Sequence, residues 1–312
     1  MKTKKYFIIA AAALILAACS NDNTPQVDVL KDTPITVTAG VEGMLTRAGH
    51  DASSLPAKFY LSVTQDADNT LSKYNYTNLL MTKGADNAYT APASANLLWK
   101  DSNRDAAVNA YTIDGTTFTV QTDQSTANGV LASDLLGAVS TTEGDVTISG
   151  DNISVRFRHL LCKLDVIYSW GTEFDNATKS IKNVVYNGFG TDVTLDRATA
   201  TITSGSSTDI ITTFVGKTTV GEEEKDMSEA IFAPQTGNPK IVITAQIDGV
   251  ERIFSLNVTA PTGGFVSGNR YTMNVAIGGT ATQTGEMNIS KGWETGDANG
   301  EADGTTGNMA TN

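Results

Sequence analysis

The side chains best suited to covalent chemistry in this sequence are two cysteines, Cys19 and Cys162, and two histidines, His50 and His159. A catalytic thiol or a metal centre needs such residues in company, in patterns such as HExxH, CxxC or GxSxG, and none of these occurs. Cys162 lies in an apolar stretch, which is typical of a buried small side chain. His159 precedes the same stretch, which favours a hydrogen-bonded histidine at the core edge. The sequence therefore predicts no catalytic residue, no metal and no cofactor.

Cys19 stands apart because of the residues before it. Three lysines at positions 2, 4 and 5 precede an apolar run over 6–16, shorter than the about 20 residues of a membrane-spanning helix and suited to a secretory signal. Leu-Ile-Leu-Ala-Ala-Cys at 14–19 resembles the lipobox of bacterial lipoproteins. That resemblance implies removal of residues 1–18 as a signal peptide and acylation of Cys19. The alternative is an ordinary secretory signal with an incidental cysteine.

Arg47 suggests a different reaction, cleavage of the chain by a protease. It stands in Thr-Arg-Ala-Gly at 46–49, after a strand-like run over 35–41 and before a polar segment. Exposed linkers of this kind are preferred sites of proteolytic nicking. The bond between Arg47 and Ala48 is thus a candidate for an arginine-specific protease, and an ordinary surface arginine is the alternative.

The charge of the chain excludes one class of partner. The formal net charge is -12, and the signal region carries three lysines and no acid, so the remainder has a charge of -15 (-12 minus 3). An acidic surface without a basic stripe repels phosphate backbones, and we expect no nucleic-acid partner. Because Cys162 is the only cysteine after Cys19, no intrachain disulfide framework can form, and a packed core must stabilise the fold.

Alternation of apolar and polar residues is the main pattern along the chain. Ile35, Val37 and Ala39 alternate with threonines, and the same period recurs over 59–63, 153–157, 241–247, 254–258 and 271–277. Successive side chains of a strand point to opposite faces, so each run has one buried face. Helical spacing is scarce, and 132–139 is the best helical candidate. The pattern predicts an all-β protein.

Turn dipeptides separate these runs. Asp114-Gly115, Asn187-Gly188 and Asp248-Gly249 are typical of hairpin turns, and the last joins two strongly alternating runs. A polar stretch over 143–152 suggests a domain boundary near residue 150. We predict five segments: a signal peptide (1–18), a lipid tether with a removable strand (19–47), an N-terminal β-sandwich (48–150), a C-terminal β-sandwich (151–293) and a disordered tail (294–312).

Several segments together resemble the fimbrillin family of the Bacteroidales, the subunits of type V pili. Besides the lipobox and Thr-Arg-Ala, the similar segments are Val-Arg-Phe-Arg-His-Leu-Leu-Cys-Lys-Leu at 155–164, the Tyr- and Val-containing run at 265–275, and Ile-x-x-x-Trp at 289–293. The resemblance implies two tandem transthyretin-like β-sandwich domains and a precursor carried as a lipoprotein to the outer membrane. It also implies that an arginine-specific protease removes Cys19 to Arg47, and with it the strand of Ile35, Val37 and Ala39.

Loss of that strand would uncover a groove with unpaired backbone groups, which a donor strand of the next fimbrial subunit would fill. Head-to-tail contacts of this kind do not close and so build a filament. Residues 294–312 lack the alternation of a donor strand. The chain can therefore be interpreted as a tip or accessory subunit as well as a stalk subunit. Without cleavage at Arg47, the protein would remain a lipid anchor at the pilus base.

Two other functions remain open from the sequence. A non-polymerising outer-membrane lipoprotein adhesin would bind glycan or another host ligand in an aromatic-lined pocket, whereas an exported hydrolase would need converging carboxylates. A fimbrial subunit instead needs its first strand inside the sheet of the first domain. The pairing and burial of residues 35–41 therefore discriminate among the three.

Overall fold

The structure of the protein is a computed structural model. It describes residues 32–42, 50, 54–206, 208–291 and 293. Strands and isolated bridges make up 57% of the described residues, which contain one α-helix, so the prediction of an all-β protein is confirmed. In the described part of the chain, no helix is both long and apolar enough to cross a membrane. The predicted signal peptide, Cys19, Arg47, Ala48 and the predicted disordered tail lie outside the described residues.

The described residues before residue 160 form nine strands and one short helix. The strands are β1 (Thr36–Val41), β2 (Lys58–Thr64), β3 (Tyr76–Lys83), β4 (Ala88–Thr90), β5 (Ala107–Tyr111), β6 (Thr117–Thr119), β7 (Leu136–Val139), β8 (Val146–Ser149) and β9 (Asn152–His159), with the helix α1 (Ala127–Ala132) between β6 and β7. A 3₁₀ turn spans Ser72–Tyr74. All of these strands except β6 belong to one sheet, in the order β1-β4-β3-β2-β5-β7-β9-β8.

The eight-stranded sheet closes on itself, because β1 also pairs with β9. Seven strands thus form a ring, and β8 pairs with the flank of β9. The sequence predicted a β-sandwich here, and the observed sheet is barrel-like instead. Alternating strands with one buried face fit either architecture, and the pairing of β1 on both of its edges decides between them.

Eleven strands follow residue 160 in the described part of the chain. They are β10 (Cys162–Trp170), β11 (Lys179–Gly190), β12 (Asp192–Asp196), β13 (Thr201–Ser204), β14 (Thr208–Thr212), β15 (Phe214–Val220), β16 (Glu223–Phe232), β17 (Lys240–Ile247), β18 (Val250–Asn257), β19 (Asn269–Ile277) and β20 (Ala281–Lys291), with a 3₁₀ turn at Thr172–Phe174. One sheet has the order β15-β16-β10-β19-β20 and a second the order β14-β11-β17-β18. Their inner faces share one hydrophobic cluster.

A small third sheet joins the two parts of the chain. It has the order β13-β12-β6, so β6 pairs with a strand from the second half. Arg197, in the turn between β12 and β13, donates to the carbonyls of Ile113, Asp114 and Gly115, and its guanidinium lies 4.6 Å from the ring centroid of Tyr111. These contacts hold the third sheet against the barrel-like sheet.

The buried side chains form two hydrophobic clusters. One lies inside the barrel-like sheet and includes residues of β1, β2, β5 and β9, whereas the other is built mainly from β10 to β20. The division of the chain near residue 150 stays a prediction. Since β9 pairs with β1, β7 and β8, we propose that the boundary lies after β9, near residues 160 and 161.

The predicted turns have mixed outcomes. Asp248 and Gly249 both have positive φ and join β17 to β18 in a two-residue hairpin, as expected for Asp-Gly. Asn187-Gly188 instead forms a bulge inside β11, with Gly188 at φ 79°. The helical candidate at 132–139 was wrong, because α1 ends at Ala132 and the fully buried run that follows is β7.

Candidate functional site

The strand predicted to be removable lies inside the barrel-like sheet and completes it. Ile35, Val37 and Ala39 are all buried, and the strand is β1. The other predicted site residues, Cys19, Arg47 and Ala48, lie outside the described residues. The sequence thus located the strand, and the structure adds the slot that this strand occupies between β4 and β9.

Both edges of β1 are paired. On one edge, residues 36–41 run parallel to residues 152–157 of β9, and the amide of Glu42 donates to the carbonyl of Phe157 at 2.7 Å. On the other edge, β1 runs antiparallel to β4, and the amides of Ile35 and Ala39 donate to the carbonyls of Leu97 and Asn87. Removing β1 would therefore leave two rows of backbone groups without partners.

The inner face of β1 covers three aromatic rings. Val37 lies opposite Tyr89 of β4, and Val41 lies opposite Phe157 of β9. The ring of Phe59 packs against both, with centroids 4.7 Å from Tyr89 and 5.1 Å from Phe157. The Tyr89 hydroxyl donates to the carbonyl of Pro56, and burial raises the pKa of Tyr89 to about 12. This aromatic floor is buried and fixed beneath the strand.

The outer face of β1 is recognised by one amide side chain. The hydroxyl of Thr36 donates to Asn152 Oδ1 at 3.2 Å, and Asn152 Nδ2 donates to the hydroxyl of Thr38 at 3.0 Å. Beyond the strand, Glu42 pairs with Arg156 at 3.7 Å. Because Arg156 is 56% exposed, this ion pair contributes little to stability.

The segment that leads into β1 is also fixed. Asp32 accepts hydrogen bonds from Lys73 and from the Tyr74 hydroxyl, and its amide donates to the carbonyl of Trp99. The fully buried Trp99 in turn donates from its backbone amide to Thr33. Residues 32–42 are therefore bound along their whole length.

His50, three residues after Arg47, is anchored to Asp134. The amide of His50 donates to Asp134 Oδ2 at 2.8 Å, and Asp134 Oδ1 lies 2.9 Å from His159 Nδ1. The side chains of Asp134 and His159 are fully buried. The imidazole of His159 stacks on the indole of Trp293, with centroids 4.0 Å apart. Asp134 thus connects the segment after Arg47 to the end of β9 and to the residue beyond β20.

Sequence reasoning predicted a hydrogen-bonded His159 and missed Asp134. The two residues are 25 positions apart, and the interpretation of 132–139 as helical hid the turn at Asp134. No local pattern marks this pair, because it depends on the pairing of β7 with β9, which joins residues that are distant in the sequence.

A second buried polar cluster lies on β10 and its neighbours. Lys163 Nζ lies 2.9 Å from Glu229 Oε2, and Arg270 pairs with Asp165 at 2.5 Å. Burial raises the pKa of Glu229, and the Lys163 ammonium opposes this effect. Two cations face two carboxylates here, which is the composition of a structural ion-pair network. Groups of three or more metal-ligating side chains are absent from the described residues.

Two surface grooves could hold a small ligand. One is lined by residues 187–188, 208 and 235–240, and the other, of about 540 Å³, by residues 259–262, 283 and 285–287 together with 289. Neither lining contains an aromatic residue. Trp99 and Trp293 are fully buried and Trp170 packs edge-on against Phe174, as expected of core and edge aromatics. Among the described residues, these grooves give no stacking platform for a sugar.

Comparison with known families identifies the class of protein. The model of the family described as fimbrillin-like matches residues 46–293, well over half of the chain. The chain belongs to the fimbrillin-like family, as its sequence resemblance implied. This is a family of structural fimbrial and adhesion proteins of the cell surface.

Solved structures with the same fold come from Bacteroides. A protein of Bacteroides ovatus described as a "putative cell adhesion protein" is 15% identical, with a TM-score of 0.63 over 85% of this chain and 99% of that chain. A Bacteroides uniformis protein with the same description is 19% identical, with a TM-score of 0.53 over 83% of this chain and 96% of that chain. At these identities the similarity establishes the fold alone. A search of the curated proteins finds no match.

Proposed function

We propose that this chain is a structural subunit of a surface fimbria. It is exported as a lipoprotein that is acylated at Cys19, it is cleaved after Arg47, and it is assembled by donor-strand exchange. Its partners are other fimbrial subunits in a head-to-tail polymer, the outer membrane through the lipid on Cys19, and an arginine-specific protease. The observation that carries the proposal is the position of β1, which is paired on both edges and closes the barrel-like sheet.

Loss of β1 would be costly enough to drive assembly. At about 25 cal/mol per Å² of apolar surface, the buried face of the strand is worth a few kcal/mol. Each main-chain hydrogen bond adds about 1 kcal/mol net, and the β9 and β4 edges would lose several. A domain is stable by only about 5 to 15 kcal/mol. A trimmed subunit is therefore substantially destabilised until another strand fills the slot.

The anchors on either side of Arg47 support cleavage there. Glu42 is bonded to Phe157, and His50 is bonded to Asp134, which contacts His159 two residues further along β9. Seven residues outside the described part of the chain, Arg47 among them, separate these anchors. A linker between two anchored segments is a candidate site of proteolytic nicking.

Digestion of the purified precursor tests this proposal. Cutting after Arg47 leaves 265 residues (312 minus 47) that begin at Ala48. We expect the trimmed product to melt at a lower temperature than the precursor and then to oligomerise or to accept a donor peptide. A trimmed monomer that melts at the same temperature as the precursor and accepts no strand would contradict strand exchange. It would favour the alternative function, a non-polymerising adhesin.

Lipid attachment is tested separately. The Cys19→Ala variant should lose incorporation of labelled fatty acid and retention in the outer membrane. A variant that still carries labelled lipid and sediments with the membrane would show that Cys19 is not the anchor.

The place of the subunit in the pilus follows from what could act as donor. Residues 294–312 carry no alternating apolar residues. Met287 and Ile289, before Trp293, are the candidate donor residues in this region, and they belong to β20, paired with β19. We therefore keep a tip or accessory role beside a stalk role. The alternative is a non-polymerising adhesin, and neither of the two grooves described above offers it an aromatic lining.

A further inference from the structure

We infer that the slot left by β1 selects its occupant by size: it accepts an extended segment of a partner subunit with two bulky inward residues, then a small one, and hydroxyl side chains between them. This inference rests on the proposed strand exchange and goes beyond it, because it specifies which strands can enter. The positions correspond to Ile35, Val37 and Ala39 inward, and to Thr36 and Thr38 outward.

The small residue is required by the aromatic floor. Ala39 lies between Val37, opposite Tyr89, and Val41, opposite Phe157. Phe59 contacts both of these rings and belongs to β2, which stands across the ring of strands from β1. Ala39, whose own partner on β9 is Val155, thus stands between the levels of Tyr89 and Phe157, the two rings that Phe59 bridges.

The rings are held in place, so they cannot yield to a larger side chain. Phe59 and Phe157 are fully buried, and Tyr89 is fixed by the hydrogen bond from its hydroxyl to the carbonyl of Pro56 at 2.6 Å. Overpacking a close-packed core displaces side chains and backbone. A leucine at the position of Ala39 should therefore weaken occupancy of the slot by about tenfold or more.

The neighbouring position offers a matched control. Gly40 follows Ala39 and faces the other side of the strand, where a Cβ would meet nothing within 4 Å. The same leucine placed there should change occupancy by no more than about twofold. Both substitutions add a leucine to the same strand. A difference in slot occupancy between them therefore measures the effect of the aromatic floor.

The hydroxyl preference rests on Asn152. Its amide accepts from Thr36 and donates to Thr38, so one side chain pairs with two outward residues of the same strand. After β1 leaves, Asn152 stays on β9 at the edge of the slot. It would pair in the same way with an occupant that carries serine or threonine at these positions, and a Thr38→Val occupant would leave Nδ2 without its partner.

Strand exchange in a nicked full-length chain provides the test. A recognition site for a site-specific protease replaces residues 46–48, and the folded chain is cut there so that β1 remains in place. Fluorescent peptides covering residues 33–42 then compete with β1, and fluorescence anisotropy measures their relative affinities. Because the cut does not depend on Arg47, this test stands apart from the question of the natural cleavage site.

The expected order of affinity is the parent peptide equal to Gly40→Leu, and both at least about tenfold above Ala39→Leu. A Phe59→Val chain, or Phe59→Leu if that variant fails to fold, should favour the Ala39→Leu peptide over the parent, which shows that the floor causes the discrimination. Equal binding of the Ala39→Leu and parent peptides would overturn the size rule and leave strand exchange intact. Failure of every peptide, the parent included, would overturn strand exchange and the size rule with it.

Discussion

The indole of Trp293 stacks on the imidazole of His159 almost in parallel, with ring centroids 4.0 Å apart and planes inclined by 8°. These residues come from the segment after β20 and from the end of β9, so the contact ties the last described residue to the barrel-like sheet. Both side chains are fully buried, or nearly so. The stack is therefore part of the junction between the two halves of the chain.

Trp293→Ala should destabilise the protein by about 3 to 5 kcal/mol, because it leaves a large cavity at this junction. Chemical denaturation measures the change. Ile289→Ala is the matched control, since that side chain on β20 is 49% exposed, and we expect less than about 1 kcal/mol from it. Equal effects of the two substitutions would show that the stack does not hold the junction.

Asp134→Ala should cost about 1 to 3 kcal/mol, because it removes the acceptor of the His50 amide and the partner of the buried His159 Nδ1. It should also make the segment around His50 more sensitive to proteases. The control is Asp68→Ala, at an exposed position, which should stay within about 0.5 kcal/mol. Unchanged stability and unchanged digestion of Asp134→Ala would contradict the anchoring role.

Arg197→Lys should weaken the attachment of the third sheet, because an ammonium cannot reproduce the planar fork that reaches three carbonyls and covers Tyr111. We expect a loss of about 1 to 2 kcal/mol in the free energy of unfolding. Arg252→Lys, on the exposed face of β18, is the control. If both variants have the same unfolding midpoint in denaturant as the parent protein, Arg197 contributes nothing to the stability of the junction.

Cys162 should not react with thiol reagents in the folded protein. Its side chain is buried and donates to the carbonyl of Val266, and burial raises the pKa of the thiol well above its ordinary value of 9.0. A raised thiol pKa keeps the reactive thiolate scarce in the folded protein, and the stability that this shift contributes is fully present below pH 9 and is lost as the pH rises from there through the higher pKa of the folded state.

Labelling of the lipid-free Cys19→Ala protein measures this directly, since Cys162 is then its only thiol. The native protein should stay unlabelled between pH 7 and pH 9, and denaturant should make the thiol react fully. Labelling of the native protein at the rate of the unfolded chain would show that Cys162 is accessible.

Local patterns predicted the strands well because alternation is a local property. The runs at 35–41, 59–63, 153–157 and 271–277 all lie in or at the edge of observed strands. The Asp248-Gly249 hairpin was predictable for the same reason, since residues 247 and 250 must pair when two positive φ angles join them.

The pairing between distant strands was not predictable from these patterns. Thr36 lies beside Asn152, 116 positions away, and this contact turns an open sheet into a closed one. The same alternation suits a sandwich or a barrel, so the sequence gives no local signal for the choice. The dipeptide Asn187-Gly188 is equally ambiguous. It suits a hairpin turn, and it also suits a bulge within a strand that continues, as β11 does here.

Assembly by strand exchange requires that β1 leave its slot, and hydrogen exchange at single residues of β9 tests this most directly. Strand geometry alternates the direction of backbone groups: Phe157 accepts from Glu42 on the β1 side, whereas the amide of Arg156 donates to Asp145 on the opposite side at 2.7 Å. The backbone amides of Val155 and Phe157 therefore point toward β1. The amide of Arg156 points away from β1 and is an internal control on the same strand.

After cleavage at Arg47 and separation of the released segment, the amides of Val155 and Phe157 should exchange much faster, while Arg156 keeps its protection. A peptide covering residues 33–42 should restore the slow exchange. If Val155 and Phe157 remain as protected as Arg156 after the segment has been removed, β1 does not form a removable closure of the sheet, and the account of assembly by strand exchange is wrong.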